Sequence, residues 1–212
     1  MKKDIPPADD GAPAEGRFVD PSVRHVEIIP LGDVDGVAVS VVAANLQAIM
    51  GLPADVLPVE PAPDFAVIPA RRQYNAVPIL GMLEAGASNA ALRLGVMSGD
   101  LCLPIFSYVL GEAQVRGHAA VISLHRLKGN EDGTSAAPAR VYERLAKVAL
   151  HEIAHVLGLT HCREEGCLMR FSLGAEHIDE LSMGFCPECE MRLLLARKRV
   201  PPGRMDPSST PV

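Results

Sequence analysis

HEIAHVLGLTHC, residues 151–162, decides how the rest of the chain is read. An α-helix advances about 100° per residue, so His151 and His155 share one face, about 40° apart and one turn along. Two imidazoles at that spacing can hold one metal ion. Glu152 lies about 100° round from His151, where a carboxylate can take a proton from a water held on that ion. In a helix that simply continued, His161 would stand about 15 Å along the axis from His151, out of ligand reach. Gly158 is where the chain can turn back, because glycine accepts the positive φ that ends many helices. Three converging histidines leave the fourth position of a zinc ion open to water, the mark of a catalytic rather than a structural site. A helix with incidental surface histidines is a fair alternative for the five-residue core, and a poor one once Gly158 and His161 are added.

The cysteines form a second pattern. Of the five, four fall in two pairs, Cys162 with Cys167 and Cys186 with Cys189, and Cys102 is left over as a small buried apolar residue. In a reducing compartment, spaced pairs serve more often as metal ligands than as disulfides. Four thiolates make the closed tetrahedral set of a structural zinc, which would staple the turn after the histidine helix to the start of the last helix. Two disulfides are the alternative.

With 212 residues, 48% of them hydrophobic, the chain can bury a full core in one domain with room for two lobes. Aromatics are scarce and tryptophan is absent, so that core rests on Val, Leu, Ile, Ala and Met. A formal net charge of −6 argues against a nucleic-acid partner, which usually needs a basic face. No apolar run approaches the roughly 20 residues that span a bilayer. The opening MKKDIPPADDGAPAEG has no apolar segment after its lysines and is not a secretory signal, so the expected location is the cytoplasm.

The full string His151-Glu152-x-x-His155-x-x-Gly158-x-x-His161 is the long metzincin pattern. With Cys162-x4-Cys167-x-Met169 and, after sixteen residues, Cys186-x-x-Cys189, the chain resembles the archaemetzincins. The run FSYVLGEAQVRGHAAVISLHRL (residues 106–127) and Arg71-x-x-Tyr74 are similar to that family too, so the resemblance covers most of residues 23–190. It implies a mixed α/β (α+β) zincin-like, metzincin fold: a twisted mixed sheet packed on helices, a long active-site helix, and a small zinc-stapled lower lobe. It also implies that Cys162, Cys167, Cys186 and Cys189 hold a second zinc. Met169 is then the apolar floor beneath the catalytic zinc, a role that differs little from that of any core methionine. Arg71 and Tyr74 are either surface polar residues or carry a family-specific packing role.

In chain order, residues 1–22 are rich in Pro, Ala, Gly and Asp and read as a flexible tail. One catalytic domain is expected over residues 23–200, its upper lobe 23–158 and its lower lobe 159–200, followed by a second tail, 201–212. Strands are expected near residues 25–30, 54–59, 92–97, 105–110 and 119–124, and helices over residues 37–50, 75–84, 139–157 and 188–199. In the last helix Leu193, Leu194 and Leu195 are available for packing. Val141, Leu145, Val148 and Ala149 form the stripe that packs the long helix on the sheet and holds His151 and His155 rigid. One of the strands 105–110 and 119–124 should form the cleft edge, to which an extended peptide adds as a further strand. His118, His125 and His177 are read as surface or strand-end histidines rather than ligands.

The function that follows is zinc-dependent hydrolysis of peptide bonds, with Glu152 as general base, two zinc ions, and a peptide or protein as the partner. Two rivals stand beside it. One is a zinc-containing peptide-binding or scaffolding protein with little turnover, which peptide-library digestion with a chelator control would separate. The other is an interaction module with no open metal site, which requires His161 to point away.

Overall fold

The computed structural model describes residues 24–87, 91–172 and 174–197. The expected tails, and the end of the expected last helix, lie outside them. The elements run β1 (His25–Leu31), α1 (Gly36–Met50), β2 (Ala54–Val56), β3 (Val67–Ile68), β4 (Gln73–Asn75), α2 (Ala76–Ala85), β5 (Ala91–Met97) and β6 (Leu101–Cys102). They continue with β7 (Gly111–Ala113), β8 (Ala119–Ser123), α3 (Pro138–Val156), α4 (Ala175–Asp179) and α5 (Pro187–Arg197).

Five strands make the main sheet in the order β2-β1-β5-β8-β7. The β1, β2, β5 and β8 pairings are parallel and β7 closes one edge antiparallel to β8. Strands covered on both faces need apolar residues at consecutive positions, and β8 (AAVIS) is buried along its whole length. Val26, Ile28, Leu94 and Ile122 meet α1 and α3 on one face. Ile29, Leu31, Met97 and Val121 meet α2 on the other. Each fully buried Leu or Ile contributes about 1.5–3 kcal/mol. A smaller sheet, β3-β4-β6, flanks them.

The helices start and stop on their own signals. Asp35 Oδ1 accepts from Val37 N at 2.9 Å to cap α1, and Asn75 Oδ1 accepts from Val77 N at 3.1 Å to cap α2. Pro138 opens α3, where a missing N–H costs nothing. At the far end Leu159 N donates to Ala154 O (2.9 Å) and Gly158 N to His155 O (2.8 Å), with Gly158 at φ +96°. That pair of bonds is a Schellman stop, and it turns the chain back as the glycine predicts.

Four expectations need correction. Residues 105–110 do not form a strand: Arg71 occupies two of that segment's carbonyls, donating to Phe106 O and Ser107 O at 2.6 and 2.7 Å, and also to Leu103 O just before it at 3.3 Å. Nor does the strand of residues 119–124 form the edge, because β8 lies between β5 and β7; the edge is β7, three residues long. Of the three leucines of α5 only Leu193 is buried, while Leu194 and Leu195 are 43% and 56% exposed. Strand β2 also stops at Val56, short of the expected Val59.

Candidate active site

The stripe Val141, Leu145, Val148 and Ala149 buries α3 against the sheet and leaves the face bearing His151 and His155 toward a cleft. A second anchor is Arg144, 2% exposed, which reaches Asp179 Oδ1 and Oδ2 at 2.8 and 2.6 Å and the carbonyls of Leu127 and Gly129 at 2.8 Å. It ties α4 and the loop before α3 to the helix that carries the histidines.

The structure brings His151, His155 and His161 together. Nε2 of His155 lies 3.0 Å from that of His151 and 3.3 Å from that of His161. Nδ1 of His151 is 2.7 Å from Leu168 O, and Nδ1 of His155 is 2.8 Å from Leu159 O. A carbonyl only accepts, so each Nδ1 carries the hydrogen and each Nε2 of that pair presents a lone pair. Two lone pairs at 3.0 Å repel unless a cation lies between them. Nitrogens bound to one tetrahedral zinc at about 2.0–2.1 Å stand roughly 3.3 Å apart, so the donor set fits zinc. Burial lowers the pKa of all three rings, that of His151 to about 4, which keeps them neutral and able to ligate.

Cys162, Cys167, Cys186 and Cys189 form the second cluster, their sulfurs within 4.8 Å of one another and all of them free thiols. Cys162 Sγ and Cys186 Sγ are 3.8 Å apart, and sulfurs at about 2.3 Å from a tetrahedral zinc are separated by roughly that distance. Backbone N–H groups of Glu164 and Cys186 donate to Cys162 Sγ and Cys167 Sγ, both at 3.4 Å, as thiolates favour. The segment between the clusters serves both: Leu168 O binds His151, while Met169, fully buried, accepts Cys162 N at 2.8 Å.

Glu152 is 8% exposed and lines the cleft with the histidines. Burial, with a smaller contribution from the charge of Glu112, pushes its acid up to about 8. The cleft holds about 410 Å3 between β7 on one side and Leu168, Phe171, Ile178 and Leu181 on the other. Gly111 sets how close the two sides come, since a Cβ there would stand 2.7 Å from Glu152 Cγ. On either side of β7, Leu110 and Gln114 bond to β8 (Ser123 N to Leu110 O, 2.9 Å; Gln114 N to Ala119 O, 3.0 Å). By antiparallel alternation Gly111 and Ala113 turn their N–H and C=O to the free edge.

Sequence reasoning missed Gly111, Glu112, Lys147 and Ser172 as cleft residues and Arg144 as the clamp. It left Arg71 between two readings, and the structure gives it a packing role: it holds the loop that brings Phe106 to the cleft. Tyr74 fills the space that a side chain at Gly99 would need. His177 is exposed, and neither it nor His118 or His125 joins a metal-ligating cluster among the described residues.

A mixed sheet, a long helix ending at a glycine, and three neutral imidazoles beside a buried carboxylate define a zinc metallopeptidase. The model of Peptidase family M54 matches residues 71–195. The chain is 36% identical over 168 residues to an archaemetzincin of Archaeoglobus fulgidus, covering 79% of this chain and 98% of that one. It is 30% identical over 173 residues to an archaemetzincin of Natronomonas pharaonis, covering 80% and 99%. A crystal structure of the Archaeoglobus fulgidus archaemetzincin complexed with malonate superposes with TM-score 0.69 at 35% identity, covering 79% of this chain and 99% of that one. A zinc-dependent peptidase from Methanocorpusculum labreanum superposes with TM-score 0.69 at 26% identity, with the same coverage. The chain belongs to peptidase family M54, the archaemetzincins. No helix among the described residues is long and apolar enough to cross a membrane.

Proposed function

We propose that this metallopeptidase holds its catalytic zinc with His151, His155 and His161 and uses Glu152 as the general base. The observation that carries the reading is the convergence of three Nε2 atoms, two of them fixed as lone-pair donors by their Nδ1 bonds to Leu168 O and Leu159 O. When bound there, zinc supplies Lewis acidity, making water a nucleophile near neutral pH and polarising the scissile carbonyl.

The rest falls to the chain's own groups. The free edge of β7 pairs with an extended peptide and sets its scissile bond over Glu152. Glu152, whose carboxylate lines the cleft with the three histidines, takes the proton of the attacking water and returns it to the leaving amine. Met169 is the apolar floor of the zinc site. Cys162, Cys167, Cys186 and Cys189 hold a second, structural zinc, which makes two ions per chain. Residues 23–200 then work as one catalytic domain, the cleft lying between an upper lobe, 23–158, and a lower lobe, 159–200. Free thiols in both cysteine pairs fit a reducing compartment, the cytoplasm. Metal analysis of the purified protein tests the two sites: about two zinc ions per chain are expected, and one ion or none would remove the reading of one cluster or both.

A further inference from the structure

The three imidazoles of the histidine cluster are not held alike. His151 and His155 each donate Nδ1–H to a carbonyl, at 2.7 and 2.8 Å, which fixes the plane of the ring and aims Nε2 into the cluster. Both also stand on α3, where the helix backbone carries them. His161 has neither support. It lies beyond the helix stop, it is exposed, and among the described residues its Nδ1 makes no hydrogen bond. The torsion about the bond to an imidazole ring is broad, so a ring without a second bond can swing its Nε2 aside. Something else has to keep that atom 3.3 Å from Nε2 of His155.

The aromatic neighbour of His161 from outside the ligand set is Phe171. The two rings meet edge to face, their centres 5.1 Å apart and their planes at 66°. Such a pair is attractive because the positive edge of one ring meets the negative face of the other. Their segments are set side by side by the parallel bridge of Cys162 to Arg170 and by the bond from Cys162 N to Met169 O at 2.8 Å. Leu168 and Met169 are fully buried and do the packing of that segment, whereas Phe171 is 58% exposed. Its ring therefore contributes little to the core and much to the side of His161. Both residues line the cleft.

We infer that Phe171 is a positioning residue for the third histidine: by holding the ring of His161 it sets how tightly the open site keeps its zinc. This rests on the ligand assignment proposed above.

The test is zinc release from the full chain against chelators of graded strength, with the metal left on the protein read directly. Wild type, Phe171→Ala, Phe171→Leu and Phe171→Tyr are compared, and His161→Ala marks which ion belongs to the histidines. Losing a residue that orients a metal ligand weakens the metal by about 10–100-fold, so Phe171→Ala should give up the histidine-bound ion at least about tenfold more readily. The cysteine-bound ion is the control within the same molecule, and its release and Tm should not change. Phe171→Leu, which fills space without a ring face, should fall between, and Phe171→Tyr should hold zinc at least as well as wild type. A raised KM for peptides with zinc release unchanged would make Phe171 a substrate contact and overturn the inference. Loosening of both ions together with a lower Tm would make it a residue of the fold and overturn it too. If wild type holds two ions and Phe171→Ala releases them as wild type does, this inference alone fails. Wild type that takes up only the cysteine-bound ion would sink the ligand assignment and this inference with it.

Discussion

His161 and Cys162 are adjacent in the chain, yet they belong to two clusters of opposite character. The histidine cluster offers three nitrogens, and all three rings line the cleft. The cysteine cluster offers four sulfurs, two of its residues buried, and none of them is on the cleft wall. A complete ligand set shut off from solvent staples a fold; an incomplete one open to a groove leaves room for chemistry. A turn of backbone sits between the two functions, and Leu168 and Met169 brace both.

The largest effect should come from the closed site. Serine at both Cys186 and Cys189 is expected to remove one zinc and lower Tm by on the order of 10 °C or more, since structural zinc contributes directly to folding. An unchanged melt and metal content would erase the distinction between the clusters. Next comes the clamp behind the open site. Arg144→Met leaves Asp179 and two loop carbonyls without their donor and should cost about 3–5 kcal/mol in denaturant unfolding. A loss below about 1 kcal/mol would show that α4 is held by other contacts.

Smaller, and confined to the open site, is Gly111→Ala. The new Cβ must push Glu152 or β7 aside, so hydrolysis should drop roughly tenfold or more for about 1–3 kcal/mol of stability. Equal kcat/KM in the two proteins would mean that the strand yields freely. The smallest effect is a pH dependence. The hydrogen bonds from Arg144 hold Asp179 below its ordinary carboxylate value, so its contribution is fully present above the unfolded value of 3.8. It is lost as pH falls through the lower folded value. Acid unfolding should be less steep in Arg144→Met than in wild type, and equal slopes would count against the pairing.

What was legible in the sequence was local. His151, Glu152, His155, Gly158 and His161 share one helix and its stop, and the stripe from Val141 to Ala149 repeats at the helical period, so adjacent residues carried the information. The cysteine pairs were readable because their spacing is short within each pair. What escaped depends on long-range partners. Arg71 reaches carbonyls some 32–36 residues on and converts an apparent strand into a loop. That conversion moved the cleft edge to Gly111–Ala113, a strand too short to show alternation. Arg144 was unreadable for the same reason, since its partner Asp179 lies 35 residues away. Leu194 and Leu195 show the reverse error: apolar type alone does not decide burial on an end helix.

The most direct measurement compares peptide-library hydrolysis by wild type and Glu152→Gln, each checked for zinc. Hydrolysis should fall about 10²–10⁴-fold in the variant while both zinc ions remain, because the amide keeps the shape of the carboxyl but cannot take the proton. Turnover by Glu152→Gln at the wild-type rate, or wild-type turnover that persists after chelation has emptied the histidine cluster, would contradict it.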